Sequence, residues 1–499
     1  MMAKIVFINP SVEKYAKVKV WASDLMDAVH GKRIAVMPKM APMILAAVTP
    51  PEHSFTFIDE EIEDVVYDKI DADLIALTGM TVQADRAYEI ADEFKKRGLP
   101  VVIGGVHASV LPDEAAMHCA SVVIGEGENV WPELLRDFSD GRMKARYNAK
   151  DCAPVTEIIS PNIDILKIDQ YSVLPLQATK GCPFDCDFCS VSFVNGRRVR
   201  IKPIERLLAE IAAYERHNKG PFKRRYQFVD DNLYVNRAYT IELFMALKRS
   251  GILWHGQGTL NTVMDEEVLG LLAESGCRMF SVGFESVSEA SLREVNKDKA
   301  NRVSEYGKAV ANLMKHGIVP GGFFIFGFDS DGPGVFEDTI KFIFDKHIIN
   351  PSFCILTPFP GTRVAERIDE RIFSRRWKEY GVVDCVFKPK NMTPAKLVNG
   401  SRWACRQIIK PENIKRQFSY FWSQGPWKTN PTLTLAERAA LIALSVLARK
   451  RSKELRGLAF WAATQKNAVD FFLIMSALIL NDAISRSMAE DLNEQDFVY

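Results

Sequence analysis

Residues 179–189 read TKGCPFDCDFC, which places Cys182, Cys186 and Cys189 on one short loop in the spacing CxxxCxxC. The loop directly follows an apolar, strand-like run at residues 174–178. The other cysteines are scattered singly, so the chain carries no disulfide framework. A tight cysteine cluster of this kind indicates metal or redox chemistry in a reducing compartment. The scattered residues are Cys119, Cys152, Cys277, Cys354, Cys385 and Cys405.

Three thiolates on one loop can ligate three irons of a 4Fe–4S cluster and leave the fourth iron open. Most electron-transfer clusters use four cysteines, so a three-cysteine loop favours chemistry at the open iron. The alternatives are a zinc site and ordinary buried cysteines. Zinc usually takes four nitrogen or sulfur ligands in paired spacing, and no nearby histidine or second cysteine pair supplies them.

The loop resembles the signature of the radical S-adenosylmethionine superfamily, including the aromatic Phe188 just before the last cysteine. The resemblance implies that the methionyl amine and carboxylate of S-adenosylmethionine chelate the open iron. One electron then cleaves the carbon–sulfur bond, and the resulting 5′-deoxyadenosyl radical abstracts hydrogen from an unactivated position. The expected electron source is a reductant such as flavodoxin or ferredoxin.

Strand and helix signals alternate around the loop, over residues 171–394. Helical periodicity at residues 204–217 and 238–249 separates the strands. Six such units predict a partial (β/α)6 TIM barrel with its site at the carboxyl ends of the strands. The predicted strands are residues 174–178, 226–229, 254–259, 279–282, 322–326 and 353–356.

Polar side chains follow several of these strands, where the resemblance implies contacts to S-adenosylmethionine. The segment FVDDN at 228–232 resembles the element that contacts the methionyl amine, and GFES at 283–286 resembles the element near the ribose and carboxylate. Asp and Asn also favour helix N-caps, so capping is the alternative for both. The predicted cofactor contacts are Phe188, Asp230, Asp231, Asn232, Gln257, Glu285 and Ser286.

Residues 1–140 form a second α/β unit, with apolar strands predicted at 4–8, 74–77, 101–103 and 122–124. Several of these strands end at glycine, and a helix is predicted at 84–97. The pattern is typical of a doubly wound, Rossmann-like parallel sheet covered on both faces. Ligands of such sheets lie beyond the carboxyl ends of the strands.

A Rossmann-like domain before this barrel resembles the cobalamin-binding class of the superfamily, through GGVH at 104–107 and VIGEGE at 123–128. The resemblance implies bound cobalamin and methylation of an unactivated carbon. The Asp-x-His-x-x-Gly motif that supplies an axial histidine elsewhere is absent, and a domain that binds nothing is the alternative. The predicted cobalamin contacts are Asn9, Thr78, Gly79, Gly104, Gly105, His107, Gly125 and Glu126.

The remaining segments are a predicted linker over 141–170 and a helical C-terminal region over 395–499, with helices at 433–453 and 457–488. Five aromatic residues lie near three basic residues over residues 415–428. Such a stripe is compatible with a membrane interface, but core packing with a snorkelling rim is the favoured interpretation.

Composition bounds the function further. The chain has 64 basic and 63 acidic residues, which gives no overall field to recruit nucleic acid. The N-terminus lacks a signal-peptide pattern, so we expect a cytoplasmic enzyme with a small-molecule or lipid substrate and leave peripheral membrane contact open. Methylation is the leading hypothesis. Radical oxidation, cyclisation or rearrangement is the second, and a non-enzymatic iron–sulfur or cobalamin sensor is the third.

Overall fold

The computed structural model describes residues 2–12, 33, 35–149, 157–217 and 225–424. In this part of the chain, two six-stranded sheets in which every pairing is parallel are joined by the segment before the cysteine loop. The α/β class predicted from the alternation is confirmed. The carboxyl ends of both sheets matter most here, because the candidate site residues follow those ends.

The first sheet has the strand order β2-β1-β3-β4-β5-β6. This order places a topological switch between β1 and β3, where a doubly wound sheet opens a ligand crevice. Separate apolar clusters cover its two faces. Its strands are β1 (Lys4–Asn9), β2 (Ser54–Asp59), β3 (Leu74–Thr78), β4 (Val101–Gly104), β5 (Ser121–Ile124) and β6 (Arg146–Asn148). Its helices are α1 (Met40–Val48), α2 (Ala84–Lys96), α3 (Val106–Val110), α4 (Pro112–Ala115) and α5 (Trp131–Ser139).

Strands β2 and β6 were not predicted from the sequence. Both lie at edges of the sheet, and β2 buries only two of its six residues fully. Edge strands therefore lack the continuous apolar run that marked β1, β3, β4 and β5. Because β6 falls within residues 141–170, part of the predicted linker belongs to the first sheet.

The second sheet has the strand order β7-β10-β11-β12-β13-β14, the sequential order of a partial barrel. All six predicted strands are present. They are β7 (Val173–Leu176), β10 (Arg225–Phe228), β11 (Leu253–Gly258), β12 (Cys277–Glu285), β13 (Val319–Phe326) and β14 (Asn350–Ile355). The helices of this domain are α6 (Val191–Val194), α7 (Ile204–Arg216), α8 (Arg237–Ser250), α9 (Leu260–Met264), α10 (Glu266–Glu274), α11 (Glu289–Glu294), α12 (Val303–Lys315) and α13 (Val335–Lys346).

The cysteine loop projects from a short hairpin. Strands β8 (Thr179–Lys180) and β9 (Arg200–Ile201) pair antiparallel and hold the two ends of the loop together. Lys202 then returns the chain to the barrel, since its backbone N–H donates to the carbonyl of Ala178.

The segment after β14 crosses back to the first domain. Helix α14 (Arg363–Arg367) is followed by Trp377 and Tyr380, which pack into an apolar cluster of the first sheet. The indole N–H of Trp377 donates to Oε1 of Glu114 over 2.7 Å. The region predicted as barrel over 171–394 therefore includes a strap across the first domain.

Two further helices, α15 (Pro394–Ile409) and α16 (Pro411–Ser423), complete the described chain. Phe418, Phe421 and Trp422 are buried in the barrel core, so the core interpretation of the aromatic stripe is confirmed there. The helices predicted at 433–453 and 457–488 lie outside the described residues. Among the helices that the structure describes, none is long and apolar enough to cross a bilayer.

Candidate active site

The three loop thiols are partly or fully withdrawn from water. Burial raises the pKa of Cys186 to about 11 and also raises the pKa of Cys182 and Cys189. All three are therefore protonated near neutral pH in the cluster-free chain. Within the described residues, no three His, Cys, Asp or Glu side chains are arranged around a single ion position. A 4Fe–4S cluster does not need several side chains around one ion, because each cysteine ligates a different iron. The three thiols of this loop therefore fit a cluster.

Asp230 and Asp231 organise the base of this loop. Asp230 is fully buried and accepts hydrogen bonds from the Thr179 backbone N–H and, over 2.7 Å, from its hydroxyl. Burial raises the pKa of Asp230 to about 7 despite these donors. Asp231 accepts from the Gly181 backbone N–H over 2.8 Å and from the Asn195 amide over 3.0 Å. Both carboxylates thus accept hydrogen bonds from other residues of this chain. Their contact with S-adenosylmethionine stays a prediction.

The middle of the loop is held from the barrel side. Arg363 Nη1 lies 2.9 Å from Oδ1 of Asp185, and its Nε donates to Asp187 over 2.9 Å. Arg367 Nη1 adds a contact to Asp187 at 3.3 Å. The Asn296 amide donates to the backbone carbonyl of Asp185 over 2.9 Å. Asp185 and Asp187, which lie between the cysteines, therefore hold the loop against the barrel.

Glu285 ends β12 in a left-handed conformation, with φ of 64°, at an irregularity in the pairing with β13. Its Oε1 lies 3.1 Å from Nζ of Lys297, and both side chains are about nine-tenths buried. Asn301 supports the distortion by donating to the carbonyls of Gly283 and Phe284 over 2.7 and 3.0 Å. A non-glycine residue in this conformation is uncommon and occurs in turns and at functional sites.

Lys297 is a site residue that the sequence did not reveal, because no motif marks it. Burial alone would lower the pKa of Lys297, but the Glu285 carboxylate beside it raises the pKa above its ordinary value, so the ammonium stays charged. The turn that carries it touches the cysteine loop, since the Asp187 N–H donates to the Val295 carbonyl over 3.1 Å. An anion and a cation beside the cluster ligands match the ammonium and carboxylate of a methionyl group.

The other predicted S-adenosylmethionine contacts occupy different settings. Phe188 packs against the barrel core, and Gln257 lies half-buried at the end of β11. Asn232 is buried, and its Oδ1 accepts from the Tyr234 N–H over 3.3 Å. Ser286 is buried and its hydroxyl accepts from the Ser288 N–H over 3.1 Å, while the N-cap of α11 is Ser288.

In the first domain, the side chains of two predicted cobalamin contacts bind other residues of this chain. Asn9 donates to Oδ1 of Asp59 over 2.8 Å, and Oδ2 of Asp59 accepts from Tyr171 over 2.9 Å. His107 is 2% exposed, and its Nε2 lies 3.1 Å from Glu114. Burial lowers the pKa of His107, so its imidazole is neutral. Direct cobalamin contact by Asn9 or His107 stays a prediction.

The predicted glycine contacts lie together at adjacent strand ends. Gly105 has φ of 94°, and a Cβ there would lie 2.9 Å from the Gly79 carbonyl and 2.6 Å from the Thr78 hydroxyl. Gly105 therefore allows the loops after β3 and β4 to meet. Gly104 is half-buried beside them, and the Gly125 N–H donates to the Ser109 hydroxyl oxygen over 2.9 Å.

Glu126 connects the two domains. Both its oxygens accept from Arg200 over 2.6 Å, and Oε1 also lies 2.8 Å from Lys180. Glu128 adds a contact to Lys180 at 3.0 Å. Burial alone would raise the pKa of Glu126, but Arg200 and Lys180 outweigh it and the pKa lies below its ordinary value. Its carboxylate is engaged, and a cobalamin contact by its side chain stays a prediction.

Comparison with known proteins agrees with this geometry. The radical SAM superfamily model matches residues 176–343, and the B12 binding domain model matches residues 43–135. Bacteriochlorophyllide d C-12(1)-methyltransferase from Chlorobaculum tepidum is 36% identical over 77% of this chain and 85% of that protein. Bacteriochlorophyllide d C-8(2)-methyltransferase from the same organism is 32% identical over 71% of this chain and 82% of that protein.

A solved structure has a similar fold. The radical S-adenosylmethionine methyltransferase TsrM from Kitasatospora setae, determined with cobalamin and a 4Fe–4S cluster bound, aligns with a TM-score of 0.60. The alignment covers 99% of this chain and 100% of that chain at 15% identity. At this identity the likeness establishes the fold.

The chain is therefore a radical enzyme with an N-terminal cobalamin-binding fold. It belongs to the cobalamin-binding class of the radical S-adenosylmethionine superfamily, whose relatives include the two bacteriochlorophyllide methyltransferases. The cofactors of this class are a 4Fe–4S cluster, S-adenosylmethionine and cobalamin. A small-molecule substrate is in keeping with this family.

Proposed function

We propose that this enzyme methylates an unactivated carbon of a small organic substrate. The observation that carries the proposal is the contact between Glu126 and Arg200. It brings the carboxyl edge of the cobalamin-binding sheet against the base of the cysteine loop. A radical made at the cluster and a methyl group held in the first domain can then meet at one substrate.

Each group of residues has a proposed part. Cys182, Cys186 and Cys189 would hold the cluster, which together with S-adenosylmethionine supplies a hydrogen-abstracting radical, while cobalamin supplies the methyl group. Glu285 would receive the methionyl ammonium and Lys297 the carboxylate, since their charges lie 3.1 Å apart. The strand-end backbone at Gly79, Gly104, Gly105 and Gly125 would approach the cobalamin.

The substrate would meet polar residues on the inner face of the barrel sheet. Trp254 of β11 packs against Phe244 of α8, so the alternate residue Gln257 faces the interior. Gln257 is in register with Ser281, and Ser281 with Gly321. Asn350 follows in the same row. Amide and hydroxyl groups in one row can hydrogen-bond to a polar edge of the substrate and orient it without placing a charge beside it.

The proposed reaction balances in atoms and electrons. One substrate C–H, two S-adenosylmethionine molecules and two electrons give one C–CH3, one 5′-deoxyadenosine with methionine, and one S-adenosylhomocysteine. The substrate hydrogen goes to 5′-deoxyadenosine, and the methyl group comes from the molecule that becomes S-adenosylhomocysteine. A low-potential reductant such as flavodoxin or ferredoxin would supply the electrons. Peripheral membrane contact, which a lipid substrate would need, stays a prediction.

The test is product analysis on anaerobically purified, cluster-reconstituted enzyme with cobalamin bound. Bacteriochlorophyllide d is the first substrate to try, because the two relatives named above act on it. We expect a methylated product with S-adenosylhomocysteine and 5′-deoxyadenosine in near-equal amounts. If 5′-deoxyadenosine forms with no matched S-adenosylhomocysteine and the substrate is oxidised or cyclised, methyl transfer is wrong.

A further inference from the structure

The hairpin that carries the cysteine loop has an unusual charge arrangement. Lys180 and Arg200 are directly paired residues of the antiparallel strands β8 and β9. Like charges directly opposite each other destabilise a strand pair. Both side chains are largely buried, with 17% and 12% of their areas exposed. The hairpin by itself therefore lacks the counter-charge that its geometry requires.

The counter-charge comes from the other domain. Glu126 lies in the loop after β5 and binds Arg200 through two parallel hydrogen bonds of 2.6 Å. Its Oε1 is also 2.8 Å from Lys180, and Glu128 of the same loop reaches Lys180 at 3.0 Å. A bidentate arginine–carboxylate pair fixes orientation as well as distance.

We propose that Glu126 is a positioning residue that sets the distance and orientation between the cobalamin and the iron–sulfur cluster. The clamp formed by Glu126, Glu128, Lys180 and Arg200 joins the strand-end loop of the cobalamin-binding sheet to the hairpin that holds all three cysteines. Lys180 is two residues before Cys182, so movement of the clamp moves the first cluster ligand. The inference rests on the proposed methyl transfer for its catalytic consequence, but not for its geometry.

Glu126→Gln keeps the side-chain size and removes the charge, which leaves Arg200 without its carboxylate partner while Lys180 keeps Glu128. We expect the variant to retain cluster and cobalamin but to lose their fixed separation. The direct readout is the magnetic dipolar interaction between cob(II)alamin and the reduced cluster, measured by pulsed electron paramagnetic resonance. The wild-type enzyme should give one narrow distance, and the variant a broad or shifted distribution.

The catalytic readout is the ratio of 5′-deoxyadenosine to S-adenosylhomocysteine. Glu126→Gln should give a several-fold excess of 5′-deoxyadenosine, because radicals form without a methyl group in reach. Arg200→Lys keeps the charge but loses the fork, so it should lie between the wild type and Glu126→Gln in both readouts. If Glu126→Gln does not fold, Arg200→Lys alone tests the inference.

Glu133→Gln is the matched control. Glu133 lies in the same domain and pairs with Lys144 on the surface, so both readouts should stay at the wild-type value. Unchanged distance distributions in Glu126→Gln and Arg200→Lys would overturn the inference. Loss of cobalamin from Glu126→Gln with the cluster retained would also overturn it, because it would make Glu126 a cofactor ligand. A wild-type enzyme that makes no S-adenosylhomocysteine would contradict the proposed function, while the distance measurement would still decide the role of the clamp.

Discussion

The ammonium of Lys297 lies 3.1 Å from the carboxylate of Glu285, in a barrel mouth where both side chains are about nine-tenths buried. Neither charge has water to solvate it fully, so each depends on the other. The turn that carries Lys297 also contacts the cysteine loop through Val295 and Asn296. This pair is the feature of the site that most resembles a receptor for a zwitterion.

The first prediction concerns that pair. Lys297→Met should lower the affinity for S-adenosylmethionine roughly tenfold or more, because a lost hydrogen bond to a charged group costs about 1.5–3 kcal/mol. The measurement is titration of the reduced-cluster resonance signal with S-adenosylmethionine. Lys297→Arg should recover most of the affinity. If Lys297→Met and the wild type bind S-adenosylmethionine with equal affinity, Lys297 has only a structural role beside Glu285.

The second prediction concerns the cluster ligands. Ala at Cys182, Cys186 or Cys189 should abolish the brown chromophore and all cleavage of S-adenosylmethionine, since each thiolate holds a separate iron. Iron and sulfide analysis after anaerobic reconstitution checks this. Cys277→Ala and Cys354→Ala are the matched controls and should keep full cluster content. A triple alanine variant with undiminished iron and sulfide would show that the assignment is wrong.

The third prediction separates loop support from cofactor contact. Asp231→Ala should reduce cluster occupancy, because the Gly181 N–H and the Asn195 amide would lose their acceptor. Asp231→Asn should keep part of the occupancy, since one oxygen remains to accept. Cluster absorbance and its loss with time would be compared in the two variants. Full, stable occupancy combined with weak S-adenosylmethionine binding in Asp231→Ala would favour the direct cofactor contact instead.

The fourth prediction concerns pH. A thiol must lose its proton before it ligates iron, and burial raises the pKa of Cys186 to about 11 in the cluster-free chain. Cluster assembly should therefore release protons and become faster as pH rises towards that value. Stopped-flow absorbance during reconstitution over a pH series would measure the rate. A rate that falls with rising pH, at constant iron and sulfide supply, would contradict the buried-thiol explanation.

The fifth prediction concerns the strap across the first domain. Trp377→Phe should destabilise that domain by roughly 1–3 kcal/mol, because the Glu114 carboxylate loses a partly buried hydrogen bond. Denaturant unfolding followed by intrinsic fluorescence and circular dichroism would measure the change. The control is Phe373→Leu, at a side chain about half exposed in the same segment. No difference between the two variants would mean that the indole contributes packing alone.

Much of the architecture could be predicted from local patterns. The six barrel strands were predicted from short segments separated by helical periodicity, and each forms a strand in the structure. Strands β2 and β6 were not predicted because edge strands need no continuous apolar sequence. Helix α2 begins at the predicted residue and ends one residue early, since its apolar periodicity and basic last turn are local signals.

The roles of the charged residues could not be predicted in the same way. Asp230 and Asp231 were predicted to contact the cofactor, which stays a prediction, and the structure adds that their carboxylates bind the loop backbone. Glu126 was predicted at the cobalamin, and its carboxylate binds Arg200. A strand-end carboxylate has the same local sequence whichever group it binds, and the partners seen for these three come from distant parts of the chain.

The sequence alone determined the cysteine spacing, the order of the βα units and hence the family, because these depend on residues close together in the chain. Only the tertiary structure decided which charges meet. Lys297 reaches Glu285 through a turn after α11, and Glu126 reaches Arg200 across 74 residues and a domain boundary. Electrostatic pairing depends on distance in space and on burial, and neither is encoded by spacing along the chain.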